Sequence, residues 1–125
     1  PWSEDFTAYD AGKAPPAWVG AIAGAYEVQD LEGNKVFAKK PNETLFKRMR
    51  LFFGPSDMSN YTVEADVRAL ERRRQLGDVG ITAQTYSLVL FGNSQRLELW
   101  SWQPNTSRTK AVNFPWKKDT WYRLK

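Results

Sequence analysis

The residues best suited to chemistry lie in the segment from Gln95 to Trp102. Side chains two positions apart on a strand share a face, so the leucines of this segment separate from its polar and aromatic residues. The polar face would carry four side chains: Arg96, Glu98, Trp100 and Trp102. An indole beside Arg and Glu can stack on a sugar ring while the charged groups bind its hydroxyls. The row predicts a carbohydrate-binding surface, unless another layer covers the two Trp residues and makes them core.

A second row of charges lies on the strand predicted from Tyr61 to Ala69, where apolar and polar residues alternate. The alternation turns Glu64, Asp66 and Arg68 away from the core. One interpretation is a half-exposed polar face whose charges pair across strands. The other is a set of ligand contacts beside the first row. The positive charge of Arg68 is also expected to lower the pKa of Asp66.

The chain has no His and no Cys among its 125 residues. This excludes thiol chemistry, His-dependent bases and Cys/His zinc sites. Any acid–base catalysis would depend on carboxylates alone, with Glu98 and Asp66 as the candidate pair if both face one groove. We therefore assign no catalytic residue. No cofactor is expected, although oxygen ligands for a structural Ca²⁺ are available from three residues: Asp5, Asp10 and Asp119.

The net charge of +4 comes from local basic clusters. These are Lys39-Lys40, Lys47-Arg48 with Arg50, Arg72-Arg73-Arg74 and Lys117-Lys118. All of them fall in predicted loops or at strand ends, so they are interpreted as solvated charges that keep the protein in solution. No nucleic-acid partner is expected. No apolar run approaches the roughly 18 residues that span a membrane, so no membrane span is expected either.

The elements that must position these residues are short strands separated by turn residues. They are predicted at 24–29, 35–39, 61–69, 78–84, 86–91, 95–102, 110–114 and 120–124. Only a short stretch from Ala69 to Gln75 has any helical periodicity. The pattern predicts an all-β fold, an antiparallel β-sandwich, in which residues 1–125 form a single domain. Residues 10–16 are predicted to be an extended loop anchored by Phe6 and Trp18.

The remaining Trp residues are assigned by their surroundings. Trp18 and Trp121 are expected in the core, since Trp buries a large area where it can. Trp116 lies in a turn between Pro115 and Lys117 and is expected to be exposed.

The order of these segments resembles the concanavalin A-like lectin/glucanase superfamily, in its laminin-G-like or glycoside hydrolase family 16-like form. A related group is the domain of unknown function assigned to 3-keto-disaccharide hydrolases. The resemblance is carried by Asp5-Phe6, residues 12–18, Tyr26-Glu27-Val28, residues 60–68, residues 78–81, residues 86–91, residues 96–99 and residues 119–124. It implies a jelly-roll sandwich in a bacterial secreted or periplasmic protein. Such domains continue for several strands, so this chain is expected to be the N-terminal portion of one, or to be completed by a partner chain.

The resemblance also bears on catalysis. Retaining glucanases of that superfamily carry a Glu-x-Asp-x-Glu run on one strand. Glu64 and Asp66 match its first two positions, but Arg68 stands where the third carboxylate belongs. The departure favours a non-catalytic module whose partner is a polysaccharide or another glycan. A structural domain that docks onto another chain through exposed aromatics and an open edge strand is the alternative. Glycoside cleavage by Glu and Asp is the third hypothesis.

Overall fold

The computed structural model describes residues 2–20, 25–40, 50–101 and 109–125. In these ranges the secondary structure is entirely β, with antiparallel pairing throughout, which confirms the all-β prediction and is consistent with a β-sandwich. The jelly-roll topology stays a prediction. The chain forms two compact units, Pro1–Met58 and Ser59–Lys125, so each is described by itself, and the single domain over 1–125 also stays a prediction. None of the ranges described contains a helix with the length and apolarity to cross a membrane.

The first unit has a central hairpin. Its strands are β1 (Val19–Gly20), β2 (Tyr26–Leu31), β3 (Asn34–Lys39) and β4 (Leu51–Phe52). β2 pairs with β3, and β1 pairs with β4. The hairpin turn places Glu32 and Gly33 at φ values of 52° and 89°, the left-handed conformation of two-residue hairpin loops. The predicted hairpin is therefore present, and only its predicted start at Gly24 lies outside the described residues.

The loop before β1 is held against the hairpin. The backbone N–H of Gly12 donates to the carbonyl of Val28, and the N–H of Val28 donates to the carbonyl of Lys13, both at 2.7 Å. At its ends, Phe6 and Trp18 contact each other with ring centroids 5.3 Å apart. This confirms the predicted loop and its two anchors.

The second unit contains the remaining strands. They are β5 (Ala65–Val67), β6 (Glu71–Arg72), β7 (Gln75–Leu76), β8 (Val79–Ala83), β9 (Tyr86–Phe91), β10 (Arg96–Ser101), β11 (Lys110–Asn113) and β12 (Tyr122–Leu124). Four of them form a sheet in the order β11-β10-β9-β8. β5 pairs with β12, and β6 with β7. The stretch with helical periodicity, 69–75, is thus part of a hairpin.

The core of the second unit lies between the four-stranded sheet and the β5–β12 pair. Its buried members are Val67, Ala69, Leu90, Trp116 and Leu124. Partly buried residues of both layers pack on them: Ala65, Leu76, Val79, Ile81, Leu88, Leu97, Phe114 and Tyr122. On β5 these inward residues alternate with exposed ones, as the period-two pattern predicts.

Two predictions about Trp residues are wrong. Trp116 is only 4% exposed, because its indole N–H donates to the carbonyl of Phe91 at 2.9 Å and the ring turns inward from the Pro115 turn. Trp121 is 48% exposed. It precedes Tyr122 and Leu124, whose side chains take the inward positions of β12, so period two turns Trp121 outward.

Candidate functional site

Strand β10 positions the predicted row on the outward face of the four-stranded sheet. Leu97 packs on the core, so Arg96, Glu98 and Trp100 point the other way. The register with β9 pairs Arg96 with Phe91 and Trp100 with Ser87. Trp102 lies outside the described residues, and its part in the row stays a prediction.

The aromatic part of the face is a stacked pair. The rings of Trp100 and Phe91 are nearly parallel, with an interplanar angle of 14° and centroids 6.0 Å apart. Both side chains are half-buried. Trp100 is therefore not enclosed as a core residue would be, and Phe91 supports its ring against tilting.

The polar part of the face is organised around Arg96. Its Nη1 donates to Oδ1 of Asn113 at 3.1 Å, and its Nε lies 4.0 Å from Oε2 of Glu98. A guanidinium has five N–H donors, so these two contacts orient the group and leave donors for a ligand. Glu98 offers acceptor oxygens beside them. The face thus presents donors and acceptors next to an apolar ring.

The outward face continues onto β8 with Thr82, which is exposed, whereas the neighbouring Ser87 is buried. Thr82 pairs with Ser87 across β8 and β9, and their side-chain oxygens are 2.9 Å apart. Ser87 lies directly opposite Trp100 in the register. Since Ser87 is buried, this bond satisfies a polar group that would otherwise destabilise the sheet.

The second predicted row, which is carried by β5, is paired across strands. Asp66 binds Arg123 with Nε to Oδ1 at 2.8 Å and Nη2 to Oδ2 at 3.0 Å. The two flanking pairs are Glu64 with Lys125 at 3.6 Å and Arg68 with Asp119 at 3.4 Å. This confirms the interpretation as a cross-paired polar face. Because the inward residues of both layers share one core, the β5 row lies on the opposite side of the unit from Trp100, and the structure does not bring the two rows together.

The electrostatics of Asp66 differ in cause from the prediction. The pKa of Asp66 is lowered, as expected, but hydrogen bonds from Arg123 cause this, whereas Arg68 pairs with Asp119. A carboxyl held ionised is a poor general acid. Glu98 also lies on the other side of the core, so these two carboxylates cannot flank one glycosidic bond at the separation of about 5–10 Å that hydrolysis requires.

Two of the three candidate calcium ligands have other partners. Asp5 accepts hydrogen bonds from the backbone N–H and hydroxyl of Thr7, at 3.0 and 2.8 Å, and these lower its pKa. Asp119 pairs with Arg68. Within 2–20, 25–40, 50–101 and 109–125, no three acidic side chains gather as a metal site.

Sequence reasoning missed two residues of the outward face, Phe91 and Asn113. Phe91 could have been found, because period two along β9 places it on the face opposite Leu90. Asn113 could not, since its position opposite Arg96 depends on the register between β10 and β11. That register is not determined by alternation alone.

An aromatic cluster in the first unit was also missed. Phe53 stacks on Trp18 with centroids 4.3 Å apart and on Trp2 with centroids 5.3 Å apart. Trp2 and Phe53 remain partly exposed, and the indole N–H of Trp18 donates to Glu4 at 3.3 Å. Trp2 and Phe53 lie outside the strands, so no periodic pattern indicates their contact.

Comparison of the chain with protein-family models, with curated proteins and with solved structures finds no match. The resemblance to the concanavalin A-like superfamily therefore stays a prediction.

Proposed function

We propose that the protein is a non-catalytic carbohydrate-binding module of a secreted or periplasmic protein, with the glycan on the outward face of the four-stranded sheet. The observation that supports this is the Trp100–Phe91 stack beside the oriented guanidinium of Arg96. A pyranose has one face of C–H groups and a rim of hydroxyls. On the face of β10, the ring of Trp100 suits the C–H face of the sugar, and the charged groups of Arg96 and Glu98 suit its hydroxyls.

The aromatic ring and the charged side chains of this face would contribute to glycan binding in different ways. The indole of Trp100 would contact the C–H face of one sugar ring, and burial of that apolar area would supply most of the affinity. Arg96 would donate to hydroxyls and Glu98 would accept from them, which would fix the orientation of the ring. The face is a sheet surface, so it suits a segment of an extended chain.

The test is a glycan-array screen of the full chain, followed by titration of the best glycan into three variants. Trp100→Ala should weaken binding by at least about tenfold, or about 1.4 kcal/mol. Trp100→Phe should retain part of the affinity, because it keeps an apolar ring. Trp121→Ala is the matched control, since Trp121 is exposed on the other layer.

Far-UV circular dichroism and the unfolding midpoint show whether each variant is folded. A folded Trp100→Ala variant that binds as tightly as the Trp121→Ala variant would contradict the proposal. So would the absence of any bound glycan on the array.

A second candidate function is docking onto another chain that completes the sandwich. Three large hydrophobic residues on the inner face of the four-stranded sheet are exposed: Tyr86, Leu99 and Val112, the last at 54%. Leu99 and Tyr86 line a groove of about 180 Å³ that also includes Val63 of the β5 segment. A two-stranded layer is too narrow to cover four strands, so an added strand would bury these side chains.

Size-exclusion chromatography with light scattering separates this candidate from the first. A concentration-dependent oligomer that Leu99→Asp converts to a monomer, with no glycan bound, would favour docking. A monomer that binds glycan through Trp100 would favour the carbohydrate-binding module.

A further inference from the structure

The second unit has an open polar cleft that is separate from the face of Trp100. Its volume is about 650 Å³, and it lies where the β6–β7 hairpin, the β9–β10 turn and the segment before β12 meet. Two of the basic clusters, distant in sequence, come together here. Arg74 comes from the first, and Lys117 and Lys118 come from the second.

The carboxylates of the cleft already have cationic partners. Glu71 lies 3.6 Å from Nζ of Lys118, and Asp119 lies 3.4 Å from Nη2 of Arg68. The side chains of Arg74 and Lys117 have no ion pair or hydrogen bond with any part of the chain that the structure describes. Their charges are therefore left for a ligand of opposite sign.

The floor of the cleft is built from fixed hydrogen bonds. The side-chain amide of Gln95 donates to the carbonyl of Gly92 at 2.8 Å and accepts from the backbone N–H of Trp116 at 2.7 Å. Trp116 is in turn bonded to Phe91. Because these bonds need no ligand, the floor is preorganised, which reduces the entropy lost on binding.

The hairpin that carries Arg74 is strained. Arg73 and Arg74 form its two-residue loop at φ values of 52° and 61°. Asn-Gly is the sequence that such loops favour, and a left-handed conformation costs a non-glycine residue on the order of 1 kcal/mol. The turn brings the side chain of Arg74 to the lining of the cleft.

We propose that this cleft binds the oxyanion of an acidic polysaccharide, a carboxylate or a sulfate ester, through Arg74 and Lys117. The choice of a carbohydrate rests on the proposed function, but the residues are different ones. The cleft is open, so a sugar bound there would lie against its surface and remain partly in solvent. Two of the five charged side chains that line the cleft are carboxylates, so its excess positive charge is small and suits single, separated anionic groups better than the closely spaced phosphates of a nucleic acid.

The experiment titrates four probes into the full chain. They are an oligogalacturonate, a chondroitin sulfate hexasaccharide, cellohexaose and a single-stranded DNA oligonucleotide. Arg74→Asn, which tolerates a left-handed φ, and Lys117→Gln should each weaken binding of an acidic oligosaccharide by at least about tenfold. Lys110→Gln is the matched control, because Lys110 is exposed on β11 and does not line the cleft.

The two acidic probes separate carboxylate from sulfate recognition, and added NaCl should weaken whichever binds. Acidic oligosaccharides that bind equally well to Arg74→Asn and to the native chain would overturn the inference. DNA that binds more tightly than both would also overturn it.

Trp100→Ala separates this inference from the proposed function. If the acidic oligosaccharide still binds to Trp100→Ala but not to Arg74→Asn, the cleft is a separate binding site. If all glycan binding is lost in Trp100→Ala and unchanged in Arg74→Asn, the inference about the cleft is wrong and the proposed function of the Trp100 face is supported.

Discussion

At the scale of single residues, Gly92 shows how closely the second unit is packed. A Cβ atom at this position would lie 2.2 Å from the carbonyl oxygen of Leu76 and 2.7 Å from its Cβ. These are atoms of the main chain and its first side-chain carbon, so they cannot move aside as the end of a long side chain can. The β9–β10 turn and β7 therefore require a glycine here.

We expect Gly92→Ala to lower the free energy of unfolding by about 1–3 kcal/mol, as other overpacked positions do. Denaturant unfolding followed by Trp fluorescence measures this. Gly77→Ala is the control, because its added Cβ would meet only the carbonyl oxygen of Leu70, at 3.6 Å. Equal stability of the two variants would show that β7 can shift away.

The ion pair of Asp66 makes a second prediction at this scale. Its pKa in the folded protein is below the ordinary value of 3.8 because Arg123 donates to it. The pair therefore stabilises the native state at pH values above 3.8, and this contribution is lost as the pH falls through the folded pKa. Thermal unfolding of the native chain and of Asp66→Asn should differ slightly at neutral pH, since both side chains are exposed. The difference should shrink below pH 3.8, and a difference independent of pH would contradict the assignment.

At the scale of elements, the β6–β7 hairpin has two arginines in a loop where Asn and Gly would be more stable. Replacing its loop by Arg73→Asn with Arg74→Gly supplies the residues that a left-handed two-residue turn favours. We expect the unfolding free energy to rise by on the order of 1 kcal/mol. The control is Arg72→Asn with Gln75→Gly, which alters the flanking strand positions and should destabilise the hairpin. A loss of stability in the first variant would mean that the two arginines make stabilising contacts of their own.

The positions of most strands were predictable from sequence, but not always their lengths. β9 has the predicted bounds, and β2, β3, β8 and β10 match within two residues. The strand predicted at 61–69 from a clear period of two is shortened to β5, because only Ala65–Val67 pairs with β12. Trp116 was misplaced because its burial depends on a hydrogen bond to a carbonyl far along the chain, which no local pattern contains. The cleft was missed for the same reason: the meeting of Arg74 with Lys117 follows from tertiary contacts between loops.

At the scale of the whole molecule, the second unit contains its own core. Every buried member of that core lies within Ser59–Lys125. We expect this fragment to unfold cooperatively, with low stability, since domains of roughly 60 residues bury only about 60% of their unfolded surface. Circular dichroism during heating tests this.

Leu90→Ala in the same fragment tests whether its unfolding transition depends on this core. It should cost about 2–5 kcal/mol and abolish the transition, because Leu90 is almost wholly buried. A fragment without any cooperative transition would mean that residues 1–58 are needed for folding.

The charges of β5 and β12 also have a consequence for how the chain assembles. Shifting the two strands by two positions one way would set Arg68 opposite Arg123, and the other way would set the inward Val67 opposite Thr120 in place of Tyr122. A shift by one would turn the apolar side chains to solvent. Charge repulsion therefore disfavours the first slip and poorer apolar packing the second, so a misaligned pair would be held more weakly than the native one and would separate again. Such selectivity matters for two strands that are far apart in the chain, because closing a long loop is slow and a misaligned contact would otherwise persist.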